Sequence, residues 1–276
     1  DVERSRGLGD VYKRQLHPRI LYKAFIMTSI DDEIFVCFDV ESTGLDRNKD
    51  RIIEIAAIKF NLTENFGQFH YLINPEIPIP LESQKIHHIN DEMVQNQPTI
   101  ASIIPDFCQF LGDHPIIGHG ISFDLAILQS SIRRANLSIS LDKKIIIDTL
   151  RLARLYGESP SNSLDVLRQH FNIPFEGSHR ALNDVIINIQ VFKKLIKKFK
   201  TLSSLLQCLK KPILMKMMPL GKYKGRLFKE IPLDYLLWAR RQKFDQDLHY
   251  SIQTEIHKRK SVENFSKATN PFHDLP

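Results

Sequence analysis

The stretch Glu33–Val40, EIFVCFDV, is a short apolar run of β-branched and aromatic residues, and two acids, Asp39 and Glu41, close it. Such a run reads as a buried first strand. Residues i and i+2 of a strand point to one face, so Asp39 and Glu41 aim at a single place. Two carboxylates aimed together repel unless something positive lies between them, and hard divalent cations prefer oxygen ligands. This segment therefore has to be a strand that carries charge into, or beside, an apolar core.

Two further segments carry matching chemistry: GHGISFD, which ends in Asp124, and HRALND, which contains His179 and Asp184. Five helical residues rotate by roughly 500°, about 140° net, so His179 and Asp184 would diverge on one helix. The spacing instead places His179 on the lead-in, with Ser178 as candidate N-cap and Asp184 one turn inside the helix. An imidazole bent back over the acids is suited to taking a proton from water near neutral pH.

The order of the remaining patterns supplies a fold class. RIIEIAAIKF and FGQFHYLI read as second and third strands, separated by the turn-like NLTEN, and NPEIPIP is extended and proline-punctuated. Helices are expected at 81–89 and 100–111, a fourth strand at PIIGH, a helix over SFDLAILQSSIRRAN and a fifth strand at IIID. Helices over TLRLARLYG, SLDVLRQHF and RALNDVIINIQVFKKLIKKF follow. A meander succeeded by alternating strands and helices indicates a three-layer α/β fold.

With these segments in order, the sequence resembles the DnaQ-like 3′→5′ exonucleases of the DEDD superfamily, in the subgroup with a histidine in its third motif. That group includes the epsilon subunit of DNA polymerase III and the exonuclease insert of PolC. The resemblance runs from about Ile34 to Ile196 and includes RIIEIAAIKF, IHHINDEMV, IDTLRLARLYG and NSLDVLRQHFNIPFEGSHRALNDV. It implies a ribonuclease H-like fold, a mixed five-stranded sheet with flanking helices. It also implies two divalent cations, Mg²⁺ or Mn²⁺, held by Asp39, Glu41, Asp124 and Asp184, with His179 as general base.

By the same resemblance Thr43, Gly44, Leu45, Glu82 and His87 meet the terminal nucleotide. Phe123 either stacks on a base or packs in the core. The implied substrate is DNA with single-stranded or frayed 3′ ends, with a DNA polymerase or replisome subunit as candidate partner and proofreading or repair as the role. RNA trimming is the alternative, because the 2′-OH contact that separates the polymers is not readable from sequence. A catalytically vestigial nucleic-acid or replisome binding module is the alternative of a different class. Two positions depart from the family pattern: Gly118-His119-Gly120 stands where GHN is usual, and His87-His88 stands where HG is usual.

Composition narrows the rest. Cys37, Cys108 and Cys208 are widely spaced with no CxxC pair, which argues against a disulfide framework or a cysteine zinc site and fits a reducing compartment such as the cytoplasm. No apolar run approaches the roughly 20 residues needed to span a bilayer. Charge is uneven: residues 1–192 carry 19 Lys and Arg against 25 Asp and Glu, while residues 193–276 carry 19 against 7. The basic part, starting at KKLIKKFK, either attracts a polyanion or is the solvated face of a helix whose Leu195, Ile196 and Phe199 pack inward.

The expected organisation is a leader over 1–30, non-native or disordered, an exonuclease domain over 31–200 and a linker over 201–212. A small, mainly helical basic domain follows over 213–260, with a disordered tail over 261–276. The segment DVERSRGLGDVYKRQ resembles translated adapter-derived leaders, which puts the native start near or before Met27. The C-terminal part resembles a small bacterial domain of unknown function. GKYKG and Arg240–Arg241 read as phosphate contacts, whereas Tyr235, Leu236 and Trp238 read as a mini-core.

Overall fold

The computed structural model describes residues 29–159, 161–174 and 180–269, with side chains up to Ser261. Five strands form one mixed sheet in the order β3-β2-β1-β4-β5: β1 (Phe35–Ser42), β2 (Ile52–Phe60), β3 (Asn65–Leu72), β4 (Ile116–Gly118) and β5 (Ile146–Asp148). The first three are an antiparallel meander, and β4 and β5 add parallel to β1. The connections that return the chain to β4 and β5 are helical, as parallel pairing requires.

Alternation along β1 sorts its side chains between two cores. Val36, Phe38 and Val40 pack with α3 (Ile100–Leu111) and α4 (Ser122–Arg134), whose Phe107, Ile127 and Leu128 are fully buried. Phe35 and Cys37 face the other way, toward α5 (Thr149–Tyr156), α6 (Leu164–His170) and α7 (Ala181–Leu195). Both faces of the central strands are thus covered, which is why β2 reads IIEIAAIKF with hardly a polar break. Two short helices, α1 (Leu81–His87) and α2 (Asp91–Val94), lie between β3 and α3.

Several expectations need correction. The 201–212 segment is not a linker. It contains α8 (Leu202–Lys210), whose Leu202, Leu205 and Leu209 recur at helical spacing and join the α7 core. Ser29 and Ile30, assigned to the leader, belong to the packed body: Ser29 bridges to Thr201, and the buried Ile30 donates its N–H to the Lys200 carbonyl. The other leader residues lie outside the described residues. The long helix ends at Leu195 and tightens into a 3-10 turn at Ile196–Lys198, and Leu195, Ile196 and Phe199 do pack inward. α7 begins at Ala181 with Arg180 in the N-cap position; Ser178, the expected cap, lies outside the described residues.

The C-terminal part builds a third apolar cluster. Met218, Phe228, Leu236, Leu248, Ile252 and Ile256 bring together a 3-10 turn, α9 (Leu233–Ala239) and α10 (Gln246–Thr269). Helix α10 continues through Thr269, nine residues into the segment expected to be disordered. Trp238 departs from the mini-core reading: Leu236 is buried, but Trp238 is 51% exposed. A dense set of ion pairs ties this part to α5. Arg151 and Arg154 both reach the fully buried Asp247, and Arg154 also holds Asp245 through contacts of 2.9 Å.

His88 caps α1 in the left-handed region at φ 58°, where a glycine would carry no Cβ penalty. Its side chain is exposed, so little packing is lost on truncation. The His88→Gly variant should therefore be more stable by about 1 kcal/mol, a rise in Tm of about 2–4 °C by calorimetry. An unchanged or lower Tm would show that the strain is relieved elsewhere.

Candidate active site

The acids meet at the C-terminal end of β1. Asp39 and Glu41 point to the α7 face of the sheet, and Asp184 sits in the first turn of α7, its N–H bonded to the Arg180 carbonyl. Oxygens of Asp39, Glu41 and Asp184 all lie within 4.8 Å of one another. Asp124 comes from the opposite layer, in the first turn of α4, and its Oδ1 accepts the Val40 N–H at 3.3 Å. That contact is available because β4 is only three residues long and pairs no further along β1 than Cys37. Where the neighbouring strand stops, a carboxylate takes over the open main-chain donor.

The electrostatics follow from burial. Desolvation, and then the charges of Asp124, Asp184, Glu41 and Glu54, push the Asp39 carboxyl well above its ordinary value. Burial also carries Glu41 to about 8, with Asp184 as the largest neighbouring charge. Asp124 rises to about 7 through burial, and its hydrogen bonds with main-chain N–H groups only partly offset this. Such a group holds protons that a metal-free fold needs and a cation would displace. A set of hard oxygen donors converging from three elements fits a divalent cation and does not resemble a thiolate or imidazole site.

Glu54 is the residue that motif reading overlooked. It lies directly opposite Glu41 in the β1–β2 register and is fully buried. Arg180 grips it through Nε and Nη2 at 2.7–3.1 Å, His70 meets it at 2.7 Å, and the Ala181 N–H donates to it at 3.0 Å. Burial pushes its carboxyl up, but the Arg180 and His70 hydrogen bonds and the Ala181 N–H outweigh this and leave it below its ordinary value. Glu54 thereby fixes the N-terminus of α7, and with it the position of Asp184. The signal in the sequence was a lone acid inside RIIEIAAIKF, a strand otherwise buried on both faces.

The other candidate residues separate into two groups. Leu45 is 87% exposed and Glu82 is exposed beside Lys85, so both are accessible. His87 is buried; its Nδ1 accepts the Ile89 N–H at 3.1 Å, which leaves Nε2 as the protonated nitrogen, without a hydrogen-bond partner among the described residues. Burial lowers its pKa, keeping the ring neutral. Thr43, in contrast, is buried and its hydroxyl is committed, donating to Asp50 at 2.8 Å and accepting from the Arg51 N–H at 3.0 Å. The space that Gly44 leaves is taken by the same Asp50, whose carboxylate would lie 2.6 Å from an added Cβ. Phe123 packs against the α3–α4 core. His179 lies outside the described residues.

Gly120, where asparagine was expected, has φ 68° and donates its N–H to Asp148 at 2.8 Å, a backbone geometry that suits glycine. His119 is held between the Thr149 hydroxyl and the Asn162 carbonyl, and burial lowers its pKa to about 4, so it serves as a neutral bridge.

This arrangement coincides with a match to known proteins. Residues 36–192 match the family described as "Exonuclease". The chain belongs to that exonuclease family. Residues 207–249 match a second description, "Putative quorum-sensing-regulated virulence factor". Among curated relatives, the PolC-type DNA polymerase III of Bacillus subtilis is 34% identical over 169 residues, covering 61% of this chain and 12% of that protein. Its Thermotoga maritima counterpart is 35% identical over 175 residues, with 63% and 12% covered. The chain thus spans about an eighth of these relatives. Among solved structures, exonuclease X in complex with 5′ overhanging duplex DNA has a TM-score of 0.50 at 23% identity, covering 62% of this chain and 98% of that one. Escherichia coli exonuclease I in complex with a dA16 oligonucleotide has a TM-score of 0.54 at 18% identity, covering 65% and 43%. These neighbours share the ribonuclease H-like fold.

Two predictions follow from the site. In Glu54→Gln, the Arg180 pair loses its charge and the Ala181 and His70 contacts weaken. Stability should fall by about 2 kcal/mol, seen as a lower urea midpoint at unchanged slope. The second concerns pH. Glu41 and Asp124 have raised pKa values in the metal-free fold, so their contribution is fully present below about pH 4 and is lost as pH rises to about 8. The Tm in chelator should fall over that window, and added Mg²⁺ should lift it most at the alkaline end. A Tm that climbs with pH in chelator would contradict the assignment.

Proposed function

We propose that this exonuclease acts on DNA from the 3′ end and releases nucleoside 5′-monophosphates, in proofreading or repair. The observation that carries the reading is the convergence of Asp39, Glu41 and Asp184 oxygens within 4.8 Å, with Asp124 held against the same strand end. In this proposal those four carboxylates hold two divalent cations, Mg²⁺ or Mn²⁺. When bound, the cations supply positive charge for the phosphodiester and make water more acidic. In this reading His179 accepts the proton of the attacking water, the role that an imidazole can fill near neutral pH. The exposed Leu45 packs on the terminal nucleoside and the exposed Glu82 meets the terminal sugar, while the buried His87 shapes the site from beneath. Arg180, held by Glu54, keeps α7 in register so that Asp184 stays beside Asp39. The DNA in the complexes of exonucleases X and I supports the choice of polymer, and the PolC-type relatives support a polymerase context.

The test is digestion of 5′-labelled single-stranded, mismatched and recessed DNA, with RNA alongside. Mg²⁺ should yield a ladder that shortens from the 3′ end, and chelator should stop it. Asp184→Ala and Asp39→Ala should each lower the rate roughly a thousandfold or more, while His179→Ala should lower it without abolishing Mg²⁺ stabilisation. Digestion from the 5′ end, or an Asp184→Ala variant as active as wild type, would overturn the reading. Faster digestion of RNA would reassign the polymer.

A further inference from the structure

We infer that the C-terminal part carries a second nucleic-acid contact, a stacking platform for single-stranded nucleic acid built from Tyr223, Tyr235 and Trp238 and rimmed by Lys222, Lys224 and Arg241. The inference is independent of the catalytic reading and concerns a different surface.

The platform begins with a turn that the sequence shows as GKYKG. Gly221 and Gly225 both take left-handed conformations, φ 73° and 81°. The Lys224 N–H closes on the Gly221 carbonyl at 3.1 Å, and the Gly225 N–H on the Met218 carbonyl at 2.8 Å. A side chain at Gly221 would meet the Tyr235 hydroxyl at 3.0 Å, so the turn lies tightly on α9. Its product is a Tyr223 fixed between two exposed lysines, with the Lys222 ammonium 5.5 Å over the Tyr223 ring and with Tyr223 and Tyr235 partly buried against the third apolar cluster. The Tyr223 ring stands edge-on to Tyr235 at 4.7 Å, and Tyr235 in turn meets Trp238 at 5.1 Å. The row ends in a half-exposed indole, followed by the exposed Arg241, whose N–H bonds the Trp238 carbonyl at 3.0 Å.

Charge decides what such a surface fits. Residues 213–260 contain 11 Lys and Arg against 5 Asp and Glu. Three of those acids are used internally: Asp245 and Asp247 by Arg154 and Arg151, and Glu255 by Arg259. The other two, Glu230 and Asp234, are exposed, and the exposed cations of this part, Lys222, Lys224 and Arg241 among them, outnumber them. An apolar protein partner would not select for that excess. A strand that lays a base on the half-exposed indole, backed by the two tyrosines, and sets its phosphates beside the cations does, because stacking needs only a π-face and tolerates any base.

Trp238 is the sole tryptophan of the chain, so its fluorescence reports on this surface alone. The full chain is titrated in chelator, where no hydrolysis is expected, with oligo-thymidylate and with oligo-uridylate. Binding should quench the indole. Trp238→Ala should weaken anisotropy-measured affinity roughly five- to a hundredfold, and Trp238→Phe should keep most of it. Lys222→Ser with Lys224→Ser should reduce the slope of log K against log salt by about 1.4. Whichever oligonucleotide binds identifies the polymer. No quenching with either, or a folded Trp238→Ala protein with wild-type affinity, overturns the proposal and leaves the surface to a protein partner.

Discussion

Like charges gathered at the end of β1 set the terms for the rest of the molecule. Two carboxylates about 4 Å apart repel by about 4 kcal/mol at an effective dielectric of 20, and this site contains several such pairs. A domain whose whole stability is about 5–15 kcal/mol cannot carry that repulsion unrelieved. Only two remedies exist: the acids keep protons, or a cation sits among them. The raised pKa values of Asp39, Glu41 and Asp124 describe the first state and show how strongly the second would be favoured at neutral pH. Everything around the cluster then has to hold the acids together against their own field. The two cores do this by clamping β1 between helices on both faces.

Glu54 shows how the same field is managed nearby. A fifth carboxylate opposite Glu41 would worsen the repulsion, yet it is the one whose pKa is lowered, because Arg180, His70 and the Ala181 N–H all favour its charged form. The Arg180 guanidinium serves twice, since its charge also offsets a small part of the rise in the Glu41 carboxyl. A buried ion pair of this kind contributes little net stability. Its value is positional: it pins the start of α7 to β2, and Asp184 is fixed as a consequence. The Asp50 carboxylate does similar work for the loop after β1, organising Thr43 and Asp46 and filling the space beside Gly44.

How much of this was legible in the sequence depends on whether a residue acts through a local pattern or a remote partner. The strands and most helices could be read because periodicity and burial are local. So could the acid pair, since Asp39 and Glu41 need only strand geometry to converge. Glu54 and Asp50 could not be assigned roles, because their partners lie 126 residues away in the first case and in a turn of irregular backbone in the second. The segment 201–212 was misread for a different reason. Leu202, Leu205 and Leu209 form a stripe only two turns long, and what it packs on, the core beside α7, is remote in sequence. Trp238 was misplaced because an aromatic on an amphipathic helix is usually core, and only the packing of Leu236 and Tyr235 reveals that the face had turned outward.

The charge asymmetry of the sequence also acquires a structural meaning. The excess of cations after residue 192 does not simply balance the acidic body, because the most buried acids of the C-terminal part are drawn into pairs with Arg151 and Arg154 on α5. Those pairs fasten the two parts and remove negative charge from the outer surface at once, leaving lysines and arginines exposed where the clamp ends. Exposed charges act over about 8 Å at physiological salt. The charges that act on Asp39, Glu41 and Asp124 come from neighbouring acids and from Arg180, so neutralisation there must come from within the site. A polyanion approaching this chain is repelled by one region and attracted by the other. Engagement of both on a single strand requires that the acids be neutralised first, so cation uptake at β1 and strand binding become thermodynamically linked.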